Sequence, residues 1–132
     1  MSDPAEPPLS EEDRRLLERG IEEFNTGYFF ECHETLEDLW QGTRGPSRDF
    51  FQGLIQIAVA LYHLTRGNLA GARSLFQRGL ARLDKYPGAY YALDVGELRE
   101  EARLWLSRVE GGVFSEPDLA ALPKLRRPTP GV

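Results

Sequence analysis

The sequence predicts an all-α fold of about five helices, arranged as two stacked helical hairpins plus a fifth helix in one compact bundle. Three observations carry that expectation. Apolar residues recur at mixed i+3/i+4 spacing in five successive stretches. Glycine and proline fall between the stretches and punctuate them. Finally, Gly20, Ile21, Phe24, Gly27, Cys32 and Leu36 are matched 40 positions later by Ala60, Leu61, Leu64, Gly67, Ala72 and Phe76. That order of small residue, apolar residues, glycine turn, small residue and large apolar residue lets two helices fold back on each other. Two copies suggest two stacked hairpins rather than a solenoid.

The elements follow in chain order. Ser10 reads as an N-cap, and Glu11, Glu12 and Asp13 suit the positive end of a helix dipole. The first helix carries Leu16, Leu17, Ile21 and Phe24 and stops near Gly27. A second runs from Tyr28 to Gln41, closed by Gly42 and the Gly45-Pro46 turn. Ser47 is placed to cap a third, which reaches Arg66. That helix is apolar almost all round (Phe50, Phe51, Leu54, Ile55, Ile57, Val59, Leu61, Leu64), the pattern of a central helix. Gly67 and Asn68 form a stop-and-start signal. The fourth helix, with Leu69, Ala72, Phe76, Leu80 and Leu83 inward, extends to about Tyr86 before Pro87-Gly88. Asp94 caps the fifth, whose stripe is Leu98, Ala102, Trp105 and Val109, and Gly111-Gly112 ends it. No strand is required, since Tyr90 and Tyr91 are the only β-favouring pair in a loop. Gly20, Gly53, Gly71 and Gly79 lie inside helices at about 1 kcal/mol each against alanine, which suggests close helix crossings. Residues 1–9 read as a flexible Pro-rich leader, 10–112 as the helical domain, and 113–132 as a short turn and loose Pro-rich tail. Ser115, Glu116 and Pro117 permit that turn.

Composition narrows the function classes. With 132 residues, 41% hydrophobic and 28% charged, the chain is one globular domain able to bury a core without staples. The single cysteine, Cys32, excludes a disulfide framework and a cysteine-based zinc site and fits a reducing compartment. The longest apolar stretch, Leu54 to Leu64, is interrupted by Gln56 and His63 and is short of a membrane span. MSDPAEPPLSEED does not read as a signal peptide, so a cytoplasmic location is expected. Residues 1–42 hold 12 acids and 3 bases, net −9, whereas residues 43–93 hold 7 bases and 2 acids, net +5. The two thirds are expected to face each other, within the fold or between protomers of a homo-oligomer. A total of −5 argues against non-specific nucleic-acid binding.

The polar residues are the informative ones. On the second helix Tyr28, Leu39, Cys32, Leu36 and Phe29 form an apolar arc, and Glu31, Glu34, Thr35 and Asp38 the solvated arc opposite. Between them Phe30, His33, Glu37 and Trp40 make a mixed strip, with His33 and Glu37 as i, i+4 partners. On the third helix Gln52, Gln56 and His63 share one line of an otherwise apolar surface. Each left unpaired would cost about 1–3 kcal/mol. If the two helices pack, these groups converge. Three readings of such a cluster stay open. It can be a hydrogen-bond network that fixes helix register. It can be a divalent-metal or acid–base site of His33, Glu37 and His63, with Glu34 as base of a small hydrolase. Or it can line a groove for a small ligand or peptide. His33-Glu34-Thr35-Leu36-Glu37 has glutamate where the zincin motif has its second histidine. Cys32, in the middle of the apolar arc, reads as an inert core thiol. Arg66, Arg73, Arg78, Arg82 and Lys85 read as a solvated face or as partners for the acidic helices.

Phe24-Asn25-x-Gly27-x-Phe29-Phe30-Glu31-x-His33-Glu34-x-Leu36-Glu37-x-x-Trp40 resembles the signature of the domain-of-unknown-function 309 family of small helical prokaryotic proteins. Gly53 to Ala58, His63, Arg66-Gly67-Asn68 and Gly71-Ala72 resemble its other characteristic stretch. The resemblance spans roughly residues 10–110. It implies an all-α bundle and marks Glu31, His33, Glu34, Glu37, Trp40, Gln56 and His63 as signature positions. It implies no activity. The function expected is that of a small binding or interaction module, for a protein or small ligand, built on the polar cluster.

Overall fold

In the computed structural model, which describes residues 2–112 and 121–128, helices account for nearly all regular structure. The order is α1 (Glu11–Asn25), α2 (Phe29–Gly42), α3 (Arg48–Thr65), α4 (Leu69–Leu83), β1 (Ala89–Tyr90), β2 (Leu93–Asp94) and α5 (Val95–Glu110). Each helix packs on its neighbours in sequence, and α3 against α4 is the most extensive contact. The predicted pair of hairpins with a fifth helix is the observed architecture.

The 40-residue repeat is visible in the turns. Gly27 and Gly67 both have positive φ, 86° and 75°, a conformation glycine reaches without a Cβ penalty. Gly27 N–H donates to Phe24 O at 3.2 Å and Gly67 N–H to Leu64 O at 3.1 Å. Tyr28 N–H reaches Glu23 O and Asn68 N–H reaches His63 O, each at 2.9 Å. Both hairpins therefore close with the same Schellman-type bonds. The interior of the repeat is buried in both copies: Phe24 and Leu64, Cys32 and Ala72, Leu36 and Phe76.

Three of the four expected caps form. Ser10 Oγ accepts from Asp13 N–H at 3.0 Å, Asn68 Oδ1 from Gly71 N–H at 3.0 Å, and Asp94 Oδ1 from Glu97 N–H at 2.9 Å. Ser47 does not cap, because its own backbone is already helical (φ −83°, ψ −11°), which turns the side chain away from the first free N–H groups.

The structure corrects the reading at both ends and at one loop. Tyr91 and Ala92 take positive φ, 50° and 56°, and close a two-residue turn that pairs Ala89 with Asp94 and Tyr90 with Leu93. Such a turn ordinarily uses Asn-Gly. Here tertiary contacts hold it instead: Tyr91 stacks on Phe51 at 5.6 Å and 15°, and its N–H donates to Glu6 Oε1 at 2.8 Å. The leader expected to be free is thereby tied down, since Tyr90 Oη and Tyr91 Oη donate to the carbonyls of Ala5 and Pro7. The tail is docked over residues 121–127. Leu122 and Leu125 are buried, and Leu125 exchanges two backbone bonds with the Asn25 amide, at 2.9 and 2.7 Å. The expected turn at Ser115, Glu116 and Pro117 lies outside the described residues. Thr35, placed on the solvated arc by projection, is buried, because α2 packs against both α1 and α3.

Candidate functional site

The central helix is covered except along one stripe. Among α3 side chains between Asp49 and His63, those with partial exposure are Asp49, Gln52, Val59, Tyr62 and His63. Their spacing of three and four residues puts them on one helix line, and Gln56 lies on the same line although it is buried. The α2 strip of Phe30, His33 and Trp40 borders one side of this line. Residues of α4, Arg78, Arg82 and others, border the opposite side. The groove exists because α3 carries no bulky apolar residue along that line except Val59 and Tyr62, so neither neighbour closes over it.

At one end of the stripe the two imidazoles meet a shared recess. Phe29, Phe30 and His33 from α2 and Val59, Tyr62 and His63 from α3 enclose about 230 Å³. The Phe30 ring lies 5.6 Å from both His33 and Tyr62, centroid to centroid, and Tyr62 lies 6.0 Å from His63. His33 Nε2 pairs with Glu37 Oε2 at 3.0 Å. Asn68 Oδ1 is used by the α4 cap, so its amide nitrogen is the atom 3.3 Å from His63 Nδ1. An amide NH2 only donates, so Nδ1 accepts and the neutral ring carries its proton on Nε2. The Arg66 guanidinium lies 5.2 Å from the Tyr62 ring centre. Phe30 is 46% exposed at this recess.

At the other end the glutamines turn to α4 rather than α2. Arg82 Nε donates to Gln56 Oε1 at 3.1 Å, while Arg82 Nη1 and Lys85 Nζ both donate to Asp49. Gln52 lines a cleft of about 390 Å³ with Trp40, Gly45, Arg48, Asp49 and Arg82. Arg48 stacks on Trp40 at 4.0 Å, and its Nη1 donates to the carbonyls of Trp40 and Thr43, at 2.8 and 2.9 Å, which closes the end of α2.

The predicted cluster therefore resolves into two places. His33, Glu37 and His63 sit at the aromatic end, and Trp40, Gln52 and Gln56 at the cationic end. Glu31 and Glu34 are exposed and make no ion pair among the described residues. The expected metal set of His33, Glu37 and His63 does not form: no group of three or more His, Cys, Asp or Glu among the described residues is placed to hold a metal ion. The physical reason is local. His33 turns along its own helix to Glu37, whereas His63 Nδ1 faces Asn68. A hydrogen-bond network is formed instead across α3 and α4, through Gln56, Arg82, Asp49 and Lys85. Asp49 was legible, three residues before Gln52 and on the same line. Arg82 and Lys85 were not, because helical projection cannot say which neighbour a polar line meets. Cys32 is fully buried, and burial, aided by the Glu23 carboxylate, pushes its thiol far above the ordinary value. That leaves it protonated and inert.

The charge split is not neutralised internally. Among the described residues no ion pair joins 1–42 to 43–93. In the basic third Arg82 and Lys85 meet Asp49 of the same segment and Arg73 meets Glu110, while Asp84 pairs with Arg99 and Arg103 of α5, and Glu18 with Arg127 of the tail.

Asp49 gives the site a measurable pH dependence. The Lys85 hydrogen bond, with the Arg82 guanidinium, holds its carboxyl below the usual 3.8. A depressed carboxyl contributes stability that is present above the unfolded-state value and lost as pH falls through the folded one. Asp49→Asn is expected to lower stability at pH 7 by about 0.5–1 kcal/mol, the scale of a solvent-screened network. It should also flatten the loss of stability below pH ~4. Chemical denaturation at several pH values checks both; equal slopes in the two proteins would remove Asp49 from the acid transition.

Comparison with known proteins places this groove in a recognised segment. The model of the family described as Domain of unknown function (DUF309) matches residues 17–75, bearing out the resemblance carried by the α2 and α3 motifs. The matched span contains the whole aromatic recess and stops before Arg78. The chain is 40% identical over 83 residues to the uncharacterized protein YpuF of Bacillus subtilis (strain 168), covering 61% of this chain and 48% of that protein. It is 27% identical over 88 residues to an uncharacterized protein of Aquifex aeolicus (strain VF5), covering 66% of this chain and 26% of that protein. The chain thus spans less than half the length of either relative. No helix among the described residues is long and apolar enough to cross a membrane.

Proposed function

We propose that the DUF309 segment makes this protein a binding module, whose recess between α2 and α3 takes one aromatic or branched apolar group of a small ligand or peptide. The observation that carries the reading is that the chain's two histidines line the same apolar recess of about 230 Å³, on the open stripe of α3. That volume suits a single side chain or ring. The walls supply apolar area from Phe29, Phe30, Val59 and Tyr62, while the imidazoles supply the few polar atoms that fix orientation in such sites. Half-exposed Phe30, with the more exposed Tyr28 one turn before Cys32, is the kind of aromatic surface on which recognition energy concentrates. The location we infer is the cytoplasm, consistent with a lone buried thiol.

The two histidines make the test direct. Indole and p-cresol, analogues of Trp and Tyr side chains, are titrated while the imidazole Cε1–H resonances are followed. Both resonances are expected to shift together and saturably in the native protein. Val59→Trp, which fills the recess from a partly exposed position, should weaken binding at least about tenfold and leave the helical circular dichroism intact. Unshifted imidazoles, or shifts unchanged in Val59→Trp, would overturn the reading.

A further inference from the structure

The cationic end of the stripe is not used by that reading, and it has a chemistry of its own. Gln56, Arg78, Ala81, Arg82 and Lys85 line a cleft of about 500 Å³, and Arg82 also lines the adjoining cleft that contains Asp49. A census of donors and acceptors decides what fits there. Among the described residues Asp49 is the only carboxylate lining either cleft, and it already accepts from Arg82 and Lys85. Because a guanidinium cannot accept, the Arg82 Nε bond to Gln56 Oε1 fixes the amide orientation. It leaves Gln56 Nε2 with two donor hydrogens. Among the described residues Gln56 Nε2 and Arg82 Nη2 form no hydrogen bond, and Arg78 has neither a hydrogen bond nor an ion pair. In the cleft of about 500 Å³ the open side-chain groups are therefore all donors. The three cations of this cleft, Arg78, Arg82 and Lys85, share the one carboxylate of Asp49, and the adjoining cleft adds a fourth cation, Arg48, so the local excess is two to three positive charges in a chain of net −5.

We propose that this cleft binds a dianionic phosphate group, presented by a small phosphate ester or as the free anion. A carboxylate ligand would bring one charge and two oxygens, whereas a phosphate monoester brings nearly two charges and three acceptor oxygens at neutral pH. The second matches both the local charge and the number of unused donors. Arg82 is held at Nε by Gln56 and at Nη1 by Asp49, so its remaining nitrogen is oriented before any ligand arrives and loses little entropy on binding. Exposed Arg78, free of partners, supplies a second fork. A wall of cations also focuses the local field on anions, despite the acidic total. That total disfavours the alternative of a long polyanion, which would have to extend beyond the cleft along a chain of net −5.

The experiment titrates the full chain at low ionic strength with inorganic phosphate, phenyl phosphate and acetate, read by calorimetry and amide shifts. Both phosphates are expected to saturate and acetate is not. Arg78→Ala should weaken binding by about fivefold or more. Asp49→Asn, whose amide oxygen can still accept from Arg82 Nη1, should tighten it, because a competing charge is removed. Arg73→Ala, five residues before Arg78 on α4 and outside the cleft, should leave it unchanged. A tighter phenyl phosphate identifies an ester as the ligand and equal affinities identify the free anion. No saturation by about 20 mM phosphate would overturn the proposal, as would equal weakening by Arg73→Ala. So would loss of self-association in Arg78→Ala without any phosphate effect, which would assign the cleft to an acidic face of a second copy.

Discussion

Phe50→Ala is expected to lower the unfolding free energy by about 3–5 kcal/mol, the range for emptying a fully buried aromatic site. Phe50 is completely buried, and its ring lies 5.7 Å from Phe51, 5.2 Å from Tyr86, 4.7 Å from Tyr90 and 6.3 Å from Tyr91. The loss propagates because those tyrosines do a second job with their hydroxyls. Tyr86 Oη donates to Pro46 O at 2.5 Å, at the entry to α3. Tyr90 and Tyr91 hold the leader carbonyls of Ala5 and Pro7. Removing the shared neighbour frees three anchors at once. Urea denaturation followed by far-ultraviolet circular dichroism measures the change, and a loss below about 1 kcal/mol would show that the cluster is not a core. Alkaline titration gives an independent sign. Burial raises Tyr86, Tyr90 and Tyr91 above the ordinary 10.0, so the folded state keeps its protons longer than the unfolded chain. The stability this represents is present below pH 10 and is lost as pH rises through the folded values. The Phe50→Ala variant should show a shallower decline.

The division between what was legible in the sequence and what was not follows the range of each interaction. Helix identities, the caps at Ser10, Asn68 and Asp94 and the paired glycine turns depend on residues within six positions of one another, so periodicity and punctuation reveal them. The convergence of His33 and His63 was legible for a related reason, since consecutive helices joined by a short turn must pack. The Gln56–Arg82 bond was not, because it spans 26 positions and α3 presents its polar line to two neighbours at once. The Tyr91–Ala92 turn hid for another reason. Neither residue favours positive φ, a cost of roughly 1–2 kcal/mol each, and what offsets it is Phe51 and Glu6, both distant in sequence. The tail and leader resemble loose ends in composition, and what fixes their described residues is distant in sequence: Asn25, Asp94, Glu97 and Glu101 for the tail, the tyrosines for the leader.

Gly79→Leu is expected to cost about 3 kcal/mol by overpacking, and to damage the cationic cleft as it does so. Gly53 on α3 and Gly79 on α4 face each other where the two helices cross. A Cβ added at Gly79 would lie 2.8 Å from Ile57 Cδ1 and 3.2 Å from the Gly53 carbonyl oxygen. A Cβ added at Gly53 would lie 3.0 Å from Leu83 Cδ2. The end of Ile57 can swing aside, but the carbonyl belongs to the α3 backbone and cannot. Gly79→Ala gains about 1 kcal/mol of helix propensity against that contact, so its net effect should be small. Leucine adds three further carbons with the same propensity gain, so the helices must separate. Separation acts first on what spans the crossing, the 3.1 Å bond from Arg82 to Gln56, and with it the orientation of the donors left open in the cleft. Gly42→Ala is the control, because a Cβ there meets nothing within 4 Å. It should be neutral or slightly stabilising. Denaturation midpoints of the three variants measure this order directly. A Gly79→Leu protein within about 0.5 kcal/mol of the native one would mean that the helices do not cross at these glycines, and the donor geometry of the cleft would lose its support.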